Sequence, residues 1–434
     1  MRTIGLLGAI SIGVGGMVGG GIFAVLGEAV SLAHSATTYA FLIAGFVTLL
    51  TSYSYAKLSV AYQSKGGTVS FIDKAFGHNL LSGSANLMLW LSYLVTISLY
   101  AVAFSSYGAT FFETKTPLIT HSLISIAIVF PALINLVSAS FVSKSETIIV
   151  AIKIILLVII IVSGASYVDS SRLTASSGVT PLSIVVSGMI IFVAYEGFEL
   201  IANAAEEIKD PKKNLPRAFY GSVIFVILLY VLIVIISVGT VPEAQLLEAK
   251  DYALAIAAKP ALGDIGFTIV AIAALLATFS AINATIYGNA RLGYIIAVEG
   301  ELPKLLTKEK REIPFMGIII TLAFSLVLAN SIDLNEIAII GSASFLLIFF
   351  IVNLSAYKLR KEIAANSIIL LASILATFTA LMTLLYYTYS SNPHAIEIFI
   401  LFICSSIIFE FFYGRFVRGH FFHREYLVDN TNNR

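Results

Sequence analysis

The chain has little of what a secreted or metal-stapled domain depends on. Of its 434 residues one is cysteine, Cys404, one is tryptophan, and only 12% are charged. A lone cysteine excludes an intrachain disulfide, and without a Cys/His cluster a structural zinc site is not expected. The six histidines fall mostly in loops or near the ends of apolar runs. No H-E-x-x-H, G-x-S-x-G or G-x-G-x-x-G occurs, so an enzyme working in the membrane has no motif to support it and no cofactor is expected. Low-complexity segments and a soluble domain are also missing, and a nucleic-acid partner is not expected.

What fills the chain is apolar: 58% of the residues are hydrophobic and the mean hydropathy is +0.95. Apolar runs of about 20 residues, the length that crosses a bilayer, recur between polar or Pro/Gly breaks. Twelve such runs lie near 4–32, 38–63, 80–112, 118–138, 145–167, 182–206, 217–241, 262–298, 314–331, 336–357, 367–389 and 394–416. The expected fold class is therefore an all-α polytopic membrane protein of about twelve spans in contact with the lipid bilayer.

The net charge of +1 hides a positional asymmetry. With the N-terminus inside, the inner loops collect Lys65, Lys74, Lys144, Lys209, Lys212, Lys213, Arg217, Lys304, Lys308, Lys310, Arg311, Lys358, Arg360, Lys361 and the basic residues of 415–424. The outer loops hold only Lys115, Arg172, Lys250 and Lys259. That bias places both termini in the cytoplasm. Two segments between spans, 65–77 on the inner face and 242–262 on the outer, read as amphipathic pieces.

The first run contains the most unusual stretch. Residues 11–23, Ser-Ile-Gly-Val-Gly-Gly-Met-Val-Gly-Gly-Gly-Ile-Phe, include six glycines, each of which weakens a helix by roughly 1 kcal/mol. A helix broken near Gly19, Gly20 and Gly21 frees amides at membrane depth, tolerable only beside a protein-lined or watery cavity. Those amides, through Phe23, suit a small carboxylate. Gly15 and Gly19 also form a G-x-x-x-G pair, so close helix packing is the competing reading.

The sixth run repeats the interruption. In Ile190-Ile-Phe-Val-Ala-Tyr-Glu-Gly-Phe-Glu199, Gly197 and two carboxylates lie where the chain must cross the membrane. Intramembrane carboxylates are costly and are functional candidates. Interruptions five spans apart are what an inverted repeat produces, with a substrate where the broken helices meet.

With these motifs in place, the chain resembles the amino acid, polyamine and organocation (APC) transporters, and within them the archaeal proton-coupled amino acid carriers. The residues that carry the likeness are Gly19-Gly20-Gly21-Ile22-Phe23, Gly66-Gly67, the signature over 192–217 (Phe-Val-Ala-Tyr-Glu-Gly-Phe-Glu…Glu-Glu-Ile-Lys-Asp-Pro-Lys-Lys-Asn-Leu-Pro-Arg), and Asn283-Ala-Thr-Ile-Tyr-Gly-Asn-Ala-Arg291…Glu-Gly-Glu-Leu-Pro303. The likeness runs from residue 4 to about 420. It implies a LeuT-type five-plus-five inverted repeat with discontinuous first and sixth spans, the repeats being 1–168 and 180–361, and 362–434 supplying the last two spans and a short tail. It also implies a secondary transporter in the plasma membrane, with a small-molecule amino acid substrate and protons as partners. The substrate carboxylate would lie on Gly19, Gly20 and Gly21 and its ammonium on carbonyls around Phe192, Ala194 and Tyr195. Phe192 would gate the site, and Glu196 and Phe198 would complete the pocket.

Lys153 sits mid-span with about eight apolar residues on each side, too deep for its stem to reach a surface. Burial opposes its charge and nearby carbonyls favour it, leaving a group that can switch protonation. In the resembling carriers a lysine here stands in place of sodium, which implies proton coupling. Its partners would be Gly15, Val18 and Ser280. A permanently charged lysine bracing three spans is the plainer alternative. Glu199, expected in the first turn of the second half-helix, is a second candidate for proton coupling or a structural cap. Glu196 departs from the usual apolar residue of the family and leaves three readings open: a site for a cationic side chain or polyamine, a second proton site, or a crevice residue without a direct role. Arg291 is expected either to pair with Glu206 and Glu207 near the inner ends of their spans or to form a solvated rim with them. Trp90, Tyr93 and Tyr100 read as packing, with Tyr93 or Ser98 as possible pocket lining. A channel, a substrate sensor, and a sodium-coupled, cationic, polyamine-selective or exchange-only carrier are the rival functions. Side-chain preference and oligomeric state are not legible.

Overall fold

Backbone polar groups that cannot reach water must be satisfied within the segment, and for a single apolar run the helix does that. The computed structural model describes residues 2–137, 139–174, 179–310 and 313–418, with side chains described outside 138–147. Among the described residues there is no strand, only two isolated bridges, Ile4–Ile208 and Lys310–Ile313.

The first apolar run is split into α1 (Leu6–Met17) and α2 (Gly21–Ala33). Then come α3 (Thr37–Ala61), the short α4 (Thr68–Phe76), α5 (Leu80–Gly108), α6 (Pro117–Val137) and α7 (Ala139–Gly164). The sixth run is split into α8 (Pro181–Ile190) and α9 (Leu200–Asn203), a single turn of 4 residues. The chain continues through α10 (Pro211–Thr240), the short α11 (Glu243–Ala249) and α12 (Ala253–Ala257), α13 (Lys259–Val298), α14 (Phe315–Ser331), α15 (Leu334–Lys358), α16 (Ser367–Ser391) and α17 (Pro393–Tyr413).

Among the described residues, ten helical segments are long and apolar enough to cross a membrane, and α1 and α14 are shorter apolar helices. The first of the ten joins α2 to α3 through a turn at His34–Ala36. Every apolar run read from the sequence thus falls on a helix or on two halves of one. The boundaries differ where proline and glycine act: α10 begins at Pro211, which needs no amide acceptor at a first turn, and α13 begins at Lys259 and kinks at Gly263, φ 63°.

The connections gather at two ends of the bundle. At one end Arg2 donates to Gln63 Oε1 (2.7 Å), the Ile4 amide to the Glu207 carbonyl (3.0 Å), Lys57 to the Ala364 carbonyl (3.0 Å) and Tyr62 to Glu362 (2.7 Å). At the other, Lys250 pairs with Glu28 (2.7 Å), Asn335 donates to the same carboxylate (2.7 Å), and Arg172 donates to the Thr240 carbonyl (2.7 Å). The first end carries Arg2, Lys65 and Lys209 and the second Arg172 and Lys250, the division that the loop charges draw. The side chain of Lys144, Arg311 and residues 419–434 lie outside the described residues.

The two amphipathic pieces differ from expectation in where their apolar faces go. α4 buries Val69, Phe71, Ile72 and Ala75 against protein and is anchored by Thr68, whose hydroxyl lies 2.9 Å from that of Tyr55. The second piece becomes α11 and α12, which bury Leu246, Ala253 and Leu254.

Candidate functional site

α1 ends at Met17 and α2 starts at Gly21, with Val18 at ψ 44° between them. The first bond inside α2 runs from the Ala24 amide to the Gly20 carbonyl (3.0 Å), which leaves the amides of Gly21, Ile22 and Phe23 without a helical acceptor. No side chain caps that end. Its glycines are required by proximity. A Cβ on Gly20 would lie 2.8 Å from Cγ of Tyr100, one on Gly19 3.1 Å from Cβ of Ala281, and one on Gly21 2.7 Å from Cα of Ala194. Close packing and helix breakage, rival readings of the sequence, occur together.

The second interruption is longer. Past α8 the chain tightens into a 3₁₀ turn over Ile191–Tyr195, extends at Glu196 (ψ 147°) and passes through Gly197 at φ 117°. Hydroxyls from neighbouring helices take up the freed groups. Ser342 of α15 donates to the Ile190 carbonyl (2.6 Å) and accepts from the Val193 amide (3.0 Å). Tyr230 of α10 places its hydroxyl 2.6 Å from the Met17 carbonyl and 3.1 Å from that of Ala194, so one phenol spans both interruptions. Tyr195 donates to the Phe41 carbonyl (2.9 Å). Phe192 and Phe198 are buried against Phe349, with centroids 5.9 and 5.2 Å away.

One face of α5 meets both broken helices. Tyr93 donates to Glu199 Oε1 (3.0 Å), Thr96 donates to Glu196 Oε2 (3.1 Å), the ring of Tyr100 covers Gly20, and Tyr107 donates to the Phe23 carbonyl (3.1 Å). Glu199 also accepts from the Gly197 amide (2.7 Å). This departs from the expected structural cap. Glu199 is the N-cap residue of a turn of 4 residues and makes no cap bond to it; its carboxylate ties back to the backbone of the break.

A cavity with a volume of about 60 Å³ opens between these elements. That is above the roughly 10–15 Å³ a cavity needs to hold a water. Its wall brings together Gly15, Gly16, Lys153, Glu196, Gly197 and Ser280, with Tyr93 and Tyr100. It continues past Gly66, Asn203 and Leu292 towards the end of the bundle that holds Arg2 and Lys65. Lys153 is 2% exposed, one turn beyond Val150, whose Cγ2 would lie 3.1 Å from a Cβ on Gly15.

The other sequence candidates lie around that wall without forming it. Val18, Phe192, Ala194, Tyr195, Phe198 and Glu199 are buried beside it, and Gly19, Gly20 and Gly21 are sealed by Tyr100, Ala281 and Ala194. Ser98 donates to the Leu94 carbonyl (2.8 Å) and is not on the wall. Trp90 packs edge-on to Phe324. Of the two readings of Arg291 with Glu206 and Glu207, the pairing is not formed and the three residues lie on an exposed rim. Arg291 donates to the Tyr287 hydroxyl (2.8 Å) four residues back, and all three are exposed, where an ion pair gains little over hydration.

Sequence reasoning missed Tyr230 and Ser342 as supports and Tyr100 as a wall. A phenol inside the run Ile-Leu-Leu-Tyr-Val-Leu could have signalled the first, since its hydroxyl must find an acceptor at membrane depth. Away from the cavity, Asp73, His78 and Glu301 bring ligand-type atoms within 4.8 Å of one another. The Asn86 amide already donates to both carboxylates, at 3.1 Å to Asp73 and 2.9 Å to Glu301.

Residues 4–412 match the family described as amino acid permease. An uncharacterized protein of Methanocaldococcus jannaschii is 32% identical over 98% of this chain and 98% of its own length. The inner membrane transport protein YbaT of Escherichia coli is 33% identical over 91% of this chain and 92% of its own. The branched-chain amino acid permease BcaP of Bacillus subtilis is 23% identical over 83% and 81% respectively.

Proposed function

The chain belongs to the amino acid permease family, a family of membrane transporters and not of enzymes, and from that premise we propose that it is a proton-coupled, sodium-independent amino acid carrier working by alternating access. In this reading 1–168 and 180–361 are the two halves of an inverted repeat, the broken helices α1/α2 and α8/α9 are its corresponding members, and 362–434 adds the last two spans and the tail. The end carrying Arg2 and Lys65 faces the cytoplasm, and the membrane is the plasma membrane.

The observation that carries the proposal is the placement of Lys153. Its side chain is buried on the wall of a cavity that also exposes Gly15 and Gly16 of the first broken helix and Ser280 of α13. An ammonium in a low-dielectric wall is held by carbonyl and hydroxyl oxygens or gives up its proton. Lys153 therefore answers to the contents of the cavity, and while protonated it occupies space that a sodium ion would need. Glu199, held by Tyr93 and the Gly197 amide, is the second candidate for a proton. The uncapped amides at the start of α2 are the complement of a substrate carboxylate. Tyr100 and Ala194 cover them here, so that reading requires those groups to move when substrate arrives.

Uptake of labelled amino acids into proteoliposomes, with and without an inward proton gradient and with sodium absent, tests the proposal. Gradient-dependent uptake in the parent and its loss in Lys153→Ala are expected. Uptake only on addition of sodium, or full proton dependence in Lys153→Ala, would sink it.

A further inference from the structure

We propose that Glu196 reads the substrate's side chain and selects α-amino acids whose side chain carries a positive charge. The inference rests on the reading of this cavity as the amino acid site and narrows the substrate class it admits.

Glu196 is the one extended residue between the 3₁₀ turn and Gly197. It is 4% exposed and lies on the cavity wall. Oε2 accepts from Thr96 (3.1 Å), while Oε1 accepts no hydrogen bond among the described residues. A carboxylate has about four acceptor positions, and a single hydroxyl leaves most of this one's capacity for whatever enters. The rest of the local wall suits a cation as well: Tyr93 and Tyr100 bring aromatic rings to the same cavity, and a ring face attracts an ammonium or guanidinium.

Lys153 comes from a different element. It projects from α7, which packs on α1, α10 and α13, whereas Glu196 is held by α5. The two residues thus come from different elements that border one cavity. A zwitterionic backbone placed between the two interruptions leaves a side chain to meet Glu196. An apolar side chain would cover a buried carboxylate and leave it uncompensated, a heavy penalty inside a membrane protein. A cationic one supplies the missing charge and a charge-assisted hydrogen bond.

The test uses the full chain in proteoliposomes and needs no variant for its first arm. Lysine is compared with norleucine and arginine with citrulline, as competitors for uptake of labelled lysine and labelled norleucine, with putrescine alongside. The expected result is a preference of at least about tenfold for each cationic member over its neutral partner, equivalent to about 1.4 kcal/mol. In Glu196→Gln that ratio collapses to within about threefold, and in Glu196→Asp most of it returns, because the charge is kept. Neutral partners competing as well as cationic ones, or an unchanged ratio in Glu196→Gln, would overturn the inference while leaving amino acid transport standing. Putrescine outcompeting lysine would overturn the amino acid class. Failure to take up any amino acid would overturn the reading of the cavity on which the inference depends.

Discussion

Gly16 of the first broken helix and Gly197 of the second meet backbone to backbone. A Cβ on Gly16 would lie 2.6 Å from the Gly197 carbonyl oxygen, and one on Gly197 2.7 Å from Cα of Gly16. Neither obstacle is the movable end of a side chain, so the crossing of the two interruptions leaves no room for a methyl group at either place.

Gly197→Ala is therefore expected to be worse than an ordinary small-to-small change. It adds left-handed strain at φ 117°, of order 1–3 kcal/mol, to the overlap with Gly16. Thermal unfolding in detergent should show a clear drop for Gly197→Ala and Gly16→Ala, and uptake should fall with it. Gly288→Ala is the control, because a Cβ there meets nothing within 4 Å. Equal melting temperatures for all three would disprove the packing argument.

Tyr230→Phe removes one oxygen and keeps the ring. The Met17 and Ala194 carbonyls would then lose their shared donor, a loss of about 1–3 kcal/mol for buried groups. Reduced thermal stability and slower uptake together are expected. A variant as stable and as active as the parent would mean that the phenol does not hold the interruptions together.

At the far end, Lys250 and Glu28 tie the α11–α12 segment to the tip of α2. Burial opposes the charge on Lys250, but the hydrogen bond and charge of Glu28 outweigh it and raise the lysine pKa. A raised lysine pKa contributes stability that is complete below the ordinary value of 10.5 and is lost only as pH climbs through the folded value, so the tie holds across neutral pH. In Glu28→Gln, hydrogen exchange over 243–257 should accelerate roughly tenfold at pH 7, as a free-energy loss of about 1.4 kcal/mol requires. Unchanged exchange would show that apolar packing alone seats the segment.

Asn86 donates to Asp73 and to Glu301 and is fully buried. Asn86→Asp keeps the shape, removes both donors and adds a third carboxylate. It should lower the melting temperature more than Asn86→Ala does, since unpaired buried charge outweighs a small cavity. The reverse order would locate the importance of Asn86 in its volume.

Spans were legible because lipid imposes length and apolarity on every crossing segment, and glycine clusters and stranded carboxylates announced the interruptions at 18–20 and 191–199. Partners were less legible. Nothing in Phe-Glu199-Leu says that the carboxylate folds back two residues to Gly197 and not onward to a helix, since the length of α9 is set by tertiary packing. Arg291 looked like half of an ion pair because charge is visible in a sequence, whereas exposure, which makes that pair weak, is not. Tyr230 and Ser342 stayed hidden among apolar neighbours; what gives them work is the chain opposite.

Tyr93, Tyr100 and Tyr107 recur every seven residues along α5, and each touches a different part of the broken helices. At 1.5 Å per residue they span about 21 Å, most of the depth of a bilayer's apolar core. α5 is in effect a ruler laid along the crossing, with three phenolic graduations. Inserting one residue below Tyr93 would advance the scale about 1.5 Å and turn it by about 100°, and all three marks would miss together. Single conservative substitutions at the half-buried positions Leu91, Val102 and Phe104 of this largely buried helix should be absorbed; a change of phase along its length should not.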